Sequence, residues 1–320
     1  MHTVSNAGAW ASEYHAPVMA ARIVELFRGC DDVLDGTLGG GGHALALLEA
    51  GARVTGIDRD PEAVAAARER LAAFETAGRF RAITANYADL DDVAALAQAR
   101  FNGVLLDLGV SSHQLDDFAR GFTFREGAAL DMRMEGSVHD DGSDAASLLQ
   151  EADERTLTHI FRDYADEPRA QRLAREIVRR RERRPFATSD DLVDAIRAAL
   201  GAPPRTGPAV FARLFQAVRI AVNDELGGLE RALPSLRDRL TPGGVMAVIA
   251  YHSGEDRIVK QTFRAWSAAC TCPPRQPICT CGGRALGTTL TRKAIAASNA
   301  EVEANPRARS AHLRAWQSAA

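Results

Sequence analysis

This chain of 320 residues lacks the features that mark membrane, exported or strongly basic proteins. No apolar run approaches the roughly 18 residues of a membrane-spanning helix. Residues 1–14 have neither the basic start nor the apolar stretch of a signal peptide, and we expect them to form a flexible leader. Five cysteines without an export signal fit a reducing, cytoplasmic location. Because the net charge is only −3, the distribution of charge matters more than its sum.

What is present is a large apolar fraction, 46%, which supports one large α/β domain and a smaller second one. Strand and helix signals alternate from about residue 32 to 107, which predicts a doubly wound, mostly parallel sheet. The predicted helices there are His43–Ala50, one from Pro61 to Phe74, and Asp89–Ala99. The predicted strands are Val33–Gly36, Arg53–Asp58, Phe80–Ala85 and Gly103–Asp107, and later Val245–Tyr251 and His312–Trp316.

The alternation stops after residue 112, and residues 113–215 carry almost no strand signal. Helical patterns dominate the second half of this stretch, and Ser189 is the expected N-cap of the last one. We therefore predict a helical, substrate-binding domain at 113–215, inserted into an α/β domain formed by 15–112 and 216–320. The predicted helices of the insertion are Asp144–Gln150, Asp153–Tyr164, Pro168–Arg184 and Ser189–Leu200.

A glycine-rich turn follows the first predicted strand, in the stretch from Val33 to His43. Consecutive glycines remove the Cβ atoms, so a ligand can lie against bare backbone beside a helix N-terminus. Asp58 ends the next strand, where a carboxylate suits the hydroxyls of a ribose. Asp35 ends the first strand, and a carboxylate there repels a pyrophosphate but attracts the cationic sulfonium and amino group of S-adenosylmethionine. The pattern therefore favours S-adenosylmethionine over a dinucleotide.

Asp107 stands at the carboxyl end of the fourth strand, before Leu108 and Gly109. A carboxylate there lies beside the crevice where ligands of such sheets bind, so it would serve the donor, the acceptor or both. The alternative is a turn or capping aspartate. A Pro-Pro-Tyr segment, which clamps the base in many amine methyltransferases, is missing. Candidates for a stacking aromatic are Phe122, Phe124 and Tyr251, each of which would also suit a core.

At this point several long strings resemble the bacterial 16S ribosomal RNA cytosine-N4 methyltransferases, the small subunit methyltransferase H family. The likeness covers nearly everything from His15 onward. It rests on the segments 35–43 (DGTLGGGGH), 58–61 (DRDP), 105–112 (LLDLGVSS), 114–116 (QLD), 120–124 (RGFTF), 130–134 (LDMRM), 219–226 (RIAVNDEL) and 305–310 (NPRARS).

The resemblance implies a Rossmann-like class I methyltransferase fold, S-adenosylmethionine as methyl donor and N4 of a cytidine in the decoding region of 16S ribosomal RNA as acceptor. It implies donor contacts at the turn, at the ribose through Asp58, beside the adenine through Tyr87, and near the methionine end through Asp107 and Gln114. With the residues argued above, the predicted donor site consists of Asp35, Gly39, Gly41, Gly42, His43, Asp58, Tyr87, Asp107 and Gln114.

The chain departs from the family pattern in places. Tyr87 replaces a phenylalanine, which keeps an aromatic face, and His113 replaces a proline. The loop at 250–256 reads AYHSGED where the family has SFHSLED. We predict catalytic roles for Asp107, Tyr251 and His252; for His252 the alternative is a histidine that satisfies a backbone group.

A stretch from Arg169 to Arg184 holds eight arginines and two glutamates. The arginines Arg172, Arg175, Arg179 and Arg183 recur at three- and four-residue steps, so they share one helix face. Such a face suits RNA phosphates, and the alternative is an ordinary solvated helix surface. Arg307, Arg309 and Arg314 are candidates to extend it.

Cys270, Cys272, Cys279 and Cys281 form a Cys-x-Cys-x6-Cys-x-Cys pattern. Four thiols can bind zinc, but Cys-x-Cys is not the usual Cys-x2-Cys knuckle, and a reduced flexible loop is the alternative. We assign no metal ligand from the sequence. Cys30 is expected to be a packing residue.

Three hypotheses remain open. The first is the RNA cytosine-N4 methyltransferase, acting on 16S ribosomal RNA within the small subunit. The second is a non-catalytic ribosome-assembly factor with a nucleoside pocket, and the third is an amine methyltransferase acting on DNA or a small molecule. The oligomeric state is open, with a homodimer as one option.

Overall fold

The computed structural model describes residues 10, 17–136, 144–201, 207–270, 272, 276, 280–281 and 283–320, apart from the side chain at 112. The leader expected at 1–14 lies outside these residues, except for Trp10. Within the described part, no helix combines the length and the apolarity that crossing a bilayer requires. The chain divides into two compact units, the first made of Met1–Gly109 and Leu226–Ala320 and the second of Val110–Glu225.

The first unit is built on a sheet in the order β3-β2-β1-β4-β5-β8-β6, with β7 paired to β8. The strands from β3 to β5 pair in parallel, and β8 pairs antiparallel to β5. This is the doubly wound, mostly parallel sheet that the sequence predicts. The strands are β1 (Asp32–Asp35), β2 (Arg53–Asp58), β3 (Phe80–Thr84), β4 (Phe101–Asp107), β5 (Leu240–Ala250), β6 (Gly287–Thr289), β7 (Ile295–Ala296) and β8 (His312–Ser318).

Helices connect these strands. Those of the first unit are α1 (Ala20–Leu26), α2 (Gly42–Glu49), α3 (Pro61–Arg70), α4 (Ala72–Thr76), α11 (Glu225–Asp238), which begins at the last residue of the second unit, α12 (Ser253–Trp266) and α13 (Asn299–Ala304). Those of the second unit are α5 (Ser112–Asp116), α6 (Ala145–Glu151), α7 (Glu154–His159), α8 (Ala170–Arg181), α9 (Ser189–Leu200) and α10 (Pro208–Val222).

Side chains of the central strands alternate between two apolar clusters, one on each face of the sheet. In β4, Leu105 joins the cluster that contains α1 and α2, whereas Val104 and Leu106 join the one that contains α11 and α12. In β5, Ala247 and Met246 divide in the same way. Both faces are therefore covered, which explains why these strands read as continuous apolar runs.

The second unit has its own helical core, in which α8 contributes the buried residues Leu173 and Ile177. Its end differs from the predicted boundary at 215. The helix α10 runs through to Val222, and its buried Leu214 and Val218 belong to this core, so the unit ends at Glu225.

Three local predictions were wrong. The single helix predicted from Pro61 to Phe74 is two helices, α3 and α4, because the backbone of Leu71 between them is not helical. Residues 89–99 form two 3₁₀ turns, Tyr87–Asp92 and Ala94–Leu96, with a kink at Asp89, rather than an α-helix. The N-cap of α9 is Thr188, not Ser189, because Asp191 completes a capping box with Thr188 and the Ser189 hydroxyl donates to the Arg125 carbonyl.

Candidate functional site

The glycine-rich turn is held by the strands on both sides of β1. The Gly36 amide donates to the Leu105 carbonyl of β4, and the Leu38 amide donates to the Ile57 carbonyl of β2. The Thr37 hydroxyl accepts from the Asp107 amide at 2.6 Å. The turn therefore begins at the carboxyl ends of three neighbouring strands, where ligands of open α/β sheets bind.

The glycines of this turn differ in the space that surrounds them. A Cβ on Gly41 would lie 3.0 Å from Leu71, and one on Gly42 would lie 3.0 Å from Pro17. Those two glycines are therefore closely packed against the protein's own side chains. Gly39, with a φ of 50°, is different, since a Cβ there would meet nothing within 4 Å. Bare backbone beside open space is thus found at Gly39, not at all four positions.

Three carboxylates end the three adjacent strands β2, β1 and β4. These are Asp58, Asp35 and Asp107. The pKa of Asp35 is raised to about 7, mainly because the carboxyl is buried and also because Asp107 and Asp58 lie nearby. Asp35 Oδ1 accepts from the Thr37 amide, but Oδ2 is buried and has no hydrogen-bond partner among the described residues. A buried carboxylate in this state favours a cationic ligand.

Asp58 also shapes the turn itself. Its Oδ2 accepts from the Gly39 amide at 2.8 Å and its Oδ1 accepts from the Asp60 amide at 2.9 Å. Burial raises the pKa of Asp58 to about 6 despite these two bonds, which act in the opposite direction. Each oxygen keeps lone-pair capacity for the hydroxyl donors of a ribose.

His43 is buried at the start of α2. Its Nε2 lies 2.8 Å from the Val18 carbonyl oxygen, and its Nδ1 lies 3.5 Å from Asp107 Oδ2. Both ring nitrogens therefore face acceptor oxygens. The observed role of His43 is to tie the turn to the segment before α1 and to the Asp107 carboxylate.

Asp107 is oriented by Tyr251, whose hydroxyl donates to Oδ1 at 2.8 Å. Burial, followed by the charge of Asp107, raises the pKa of Tyr251 well above its usual value. A raised pKa favours the protonated phenol, which donates to Asp107. The sequence did not predict this contact, and the catalytic role of Tyr251 stays a prediction.

His252 is the N-cap of α12, with Nδ1 accepting from the Glu255 amide at 3.5 Å. Glu255 is buried and completes a capping box, in which its carboxylate accepts from the Tyr251 and His252 amides. This geometry matches the alternative in which His252 satisfies a backbone group. Sequence reasoning missed Glu255, although its position three residues after His252 is the spacing of a capping box.

Two predicted donor contacts lie in different units. Tyr87 begins the 3₁₀ turn after β3 in the first unit and is half-buried. Gln114 belongs to the second unit, where it forms a capping box with Ser111 at the start of α5. The Gln114 side chain accepts from the Ser111 amide at 3.0 Å and donates to the Met134 carbonyl at 3.4 Å. Their roles toward a donor stay predictions.

The predicted arginine face exists on the second unit. Arg172, Arg175 and Arg179 are exposed on α8, while Arg183 is exposed just after the helix ends at Arg181. Two of the four are engaged in ion pairs, Arg175 with Glu154 of α7 at 3.0 Å and Arg179 with Glu176. Within the described residues, no ion pair is found for Arg172 or Arg183.

Two further exposed arginines lie next to this face, and helix periodicity did not predict them. Arg155 and Arg162 are exposed beside α8 and line a cleft with Glu154, Thr158 and Gln171. Periodicity missed them because they come from α7 and the π-turn that follows it. We call Arg155, Arg162, Arg172, Arg175, Arg179 and Arg183 the arginine surface.

Three other residues that were candidates for contacts with RNA or its bases instead make contacts within the protein. Arg314 is buried and pairs with Asp256 at 2.7 and 2.9 Å, so it does not extend a phosphate track. Phe122 lies in the core of the second unit, and Phe124 packs beside it at about 6 Å from the rings of Phe211 and Phe215. These two rings therefore serve as core residues. Cys279 lies outside the described residues.

Comparison with known proteins shows the family to which the chain belongs. The model of the MraW methylase family matches residues 12–319. The chain belongs to this family. It is 65% identical over 306 residues to the ribosomal RNA small subunit methyltransferase H of Gemmatimonas aurantiaca, covering 96% of both chains. It is 49% identical to the protein of that name from Anaeromyxobacter sp. strain Fw109-5, covering 94% of this chain and 96% of the relative.

Proposed function

We propose that this methyltransferase transfers a methyl group from S-adenosylmethionine to N4 of a cytidine in the decoding region of 16S ribosomal RNA. The observation that carries the donor assignment is the set of three carboxylates at adjacent strand ends, including a buried Asp35 oxygen without a partner among the described residues. A ligand with sulfonium and ammonium charges relieves the repulsion among these groups, whereas a pyrophosphate would add to it.

When bound, S-adenosylmethionine supplies an electrophilic methyl group on a cationic sulfur. Asp35 would face that positive charge, Asp58 would accept from the ribose hydroxyls, and Tyr87 would offer its ring to the adenine. The open backbone at Gly39 leaves room beside Asp58. The donor set therefore fits the group.

Asp107 is the residue that we assign to the acceptor amine. The cytosine amine is a poor nucleophile because its lone pair is delocalised into the ring, and an acceptor oxygen on its N–H would localise that pair. The Tyr251 hydroxyl donates to Oδ1, and Oδ2 lies 3.5 Å from His43 Nδ1. We therefore propose that the Asp107 carboxylate accepts the amine N–H, with Tyr251 holding that carboxylate in place. The amine proton can leave after transfer, so a strong base is not required.

The arginine surface supports a polyanionic acceptor. Arg172, Arg175, Arg179 and Arg183 are proposed as RNA contacts, since exposed guanidinium groups bind phosphates with good geometry. The names of the two relatives also specify small-subunit ribosomal RNA. We propose that the RNA is presented within the small subunit, in the cytoplasm.

One experiment separates this function from its rivals. Small-subunit RNA from cells lacking the protein is digested and read by mass spectrometry, and we expect one cytidine to lose one methyl group. The purified protein should restore it on isolated small subunits, and less efficiently on naked 16S RNA. Donor binding without any transfer would favour a non-catalytic assembly factor. Transfer to DNA or to free cytidine at an equal rate would contradict the RNA assignment.

A further inference from the structure

The long connection between α12 and β6, residues 267–286, contains three described cysteines and is called the cysteine loop. Both ends of the loop are fixed. Leu286 donates from its amide to the Trp266 carbonyl at 2.8 Å, and Trp266 packs on Trp316 of the sheet with ring centroids 5.1 Å apart.

The sulfur atoms of Cys270, Cys272 and Cys281 all lie within 4.8 Å of one another. The sulfurs of Cys270 and Cys281 are 3.7 Å apart, well beyond the roughly 2 Å of a disulfide bond. Zinc bonds to sulfur at about 2.3 Å, so two sulfurs on a tetrahedral zinc are about 3.8 Å apart. The observed spacing therefore matches the edge of a zinc tetrahedron.

Backbone N–H groups surround this cluster. The Gly283 amide donates to Cys281 Sγ at 3.4 Å, and the amides of Thr280 and Cys281 donate to the sulfur of Cys272. Such bonds orient metal-bound thiolates and stabilise their charge. Gly283 is also where the two arms of the loop meet, since a Cβ there would lie 3.1 Å from the Ala269 carbonyl oxygen.

We propose that Cys270, Cys272 and Cys281 bind one zinc ion that fastens the cysteine loop. Zinc is the proposed metal because three thiolates, with no other ligand type in the cluster among the described residues, favour a borderline-soft cation without redox chemistry. The Cys-x-Cys spacing alone did not predict this site, because the decisive observation is the convergence of sulfurs from both arms of the loop.

Cys30 provides the matched control. It is a half-buried cysteine elsewhere in the same unit, and its thiol donates to the Asn102 carbonyl at 3.3 Å. Burial raises the pKa of Cys30 to about 11, so it stays a thiol. A serine at this position removes one sulfur from the chain without touching the cysteine loop.

The test is metal analysis of the full-length chain, purified with a reducing agent, exposed to excess zinc and desalted. We expect about one zinc per chain in the unaltered protein and in Cys30→Ser, and at least a fivefold loss in Cys270→Ser, Cys272→Ser and Cys281→Ser. X-ray absorption of the zinc-loaded protein should show sulfur neighbours at about 2.3 Å, a readout that needs no variant. Circular dichroism establishes that each variant is folded.

Three results would overturn the proposal. One is a fully reduced, folded protein that retains less than about a fifth of an equivalent of zinc. Another is zinc content unchanged in the variant that lacks all three thiols. The third is a stable Cys270–Cys281 disulfide, found by thiol counting, in a protein that takes up no zinc.

Discussion

The carboxyl edge of the first unit and the arginine surface of the second unit present charge in opposite ways. At the carboxyl edge, Asp35, Asp58 and Asp107 are buried or half-buried. Amides of the glycine-rich turn donate to Asp35 and Asp58, and the Tyr251 hydroxyl donates to Asp107. On the arginine surface the charges are exposed, and Arg175 and Arg179 are engaged by glutamates. Buried charges at fixed positions act individually and strongly, whereas exposed charges act weakly and together.

Because buried charges act strongly, we expect Asp107→Asn to have the largest effect of these variants, on the rate of methyl transfer. Asparagine keeps the shape and can still accept from Tyr251, but the negative charge that opposes the growing positive charge on the amine is lost. We expect methyl transfer to slow by roughly 10²–10³-fold. Single-turnover kinetics with saturating donor and RNA measure this. A rate within threefold of the unaltered protein would remove Asp107 from the chemistry.

Asp58→Ala should come next. The change removes the proposed ribose acceptor and the carboxylate that holds the Gly39 and Asp60 amides. We expect donor affinity to fall by about 10- to 100-fold in calorimetry, since hydrogen bonds to a charged group contribute roughly 1.5–3 kcal/mol. Asp32→Asn is the control because it alters a carboxylate at the opposite end of a neighbouring strand. Unchanged affinity in Asp58→Ala would refute the assignment.

Asp35→Asn should change how donor binding depends on pH. The folded-state pKa of Asp35 is about 7, so its charge is lost as the pH falls from 8 to 6. A cationic donor should then bind more weakly at pH 6, by up to about tenfold, because only about a tenth of the carboxyl is ionised one pH unit below its pKa. Asp35→Asn should flatten this dependence. A dependence as steep as in the unaltered protein would contradict the proposal.

The same residue gives a stability prediction with a defined sign. Its pKa is raised above the value of about 3.9 in the unfolded chain, so the folded chain loses stability as the pH rises from about 4 to 7. Asp35→Asn should therefore raise the free energy of unfolding at pH 8, by a few kcal/mol at most, and change it little at pH 4. Asp32 should have the opposite effect on stability, because its hydrogen bond with Arg53 lowers its pKa in the folded chain. Its contribution to stability is therefore lost as the pH falls. Denaturant titrations at the two pH values compare the variants.

The arginine surface should show the smallest effects. We expect Arg175→Ala with Arg179→Ala to weaken RNA binding by roughly tenfold and to reduce the slope of affinity against salt by about one to two, with donor binding unchanged. The double variant Arg172→Ala and Arg183→Ala should weaken RNA binding more. Within the described residues these two arginines form no ion pair, so they need not break one in order to bind a phosphate. An unaltered salt slope in both double variants would count against the RNA-binding surface.

Some features follow from the sequence by itself. Alternating apolar strands and helices determined the parallel sheet, because strands covered on both faces must be apolar throughout. Asp35, Asp58 and Asp107 could be placed at one edge, because each directly ends a strand and parallel strands end together. The arginine face of α8 followed from helical periodicity.

Other features were decided only by the tertiary structure, because they depend on contacts between residues far apart in the chain. Tyr251 reaches Asp107 across 144 positions, and Gly42 packs closely on Pro17. Arg314 is withdrawn from the surface by Asp256. Local patterns identify which residue types are present, whereas burial and partners decide whether a tyrosine stacks a base or orients a carboxylate, and whether a glycine admits a ligand or a neighbouring proline.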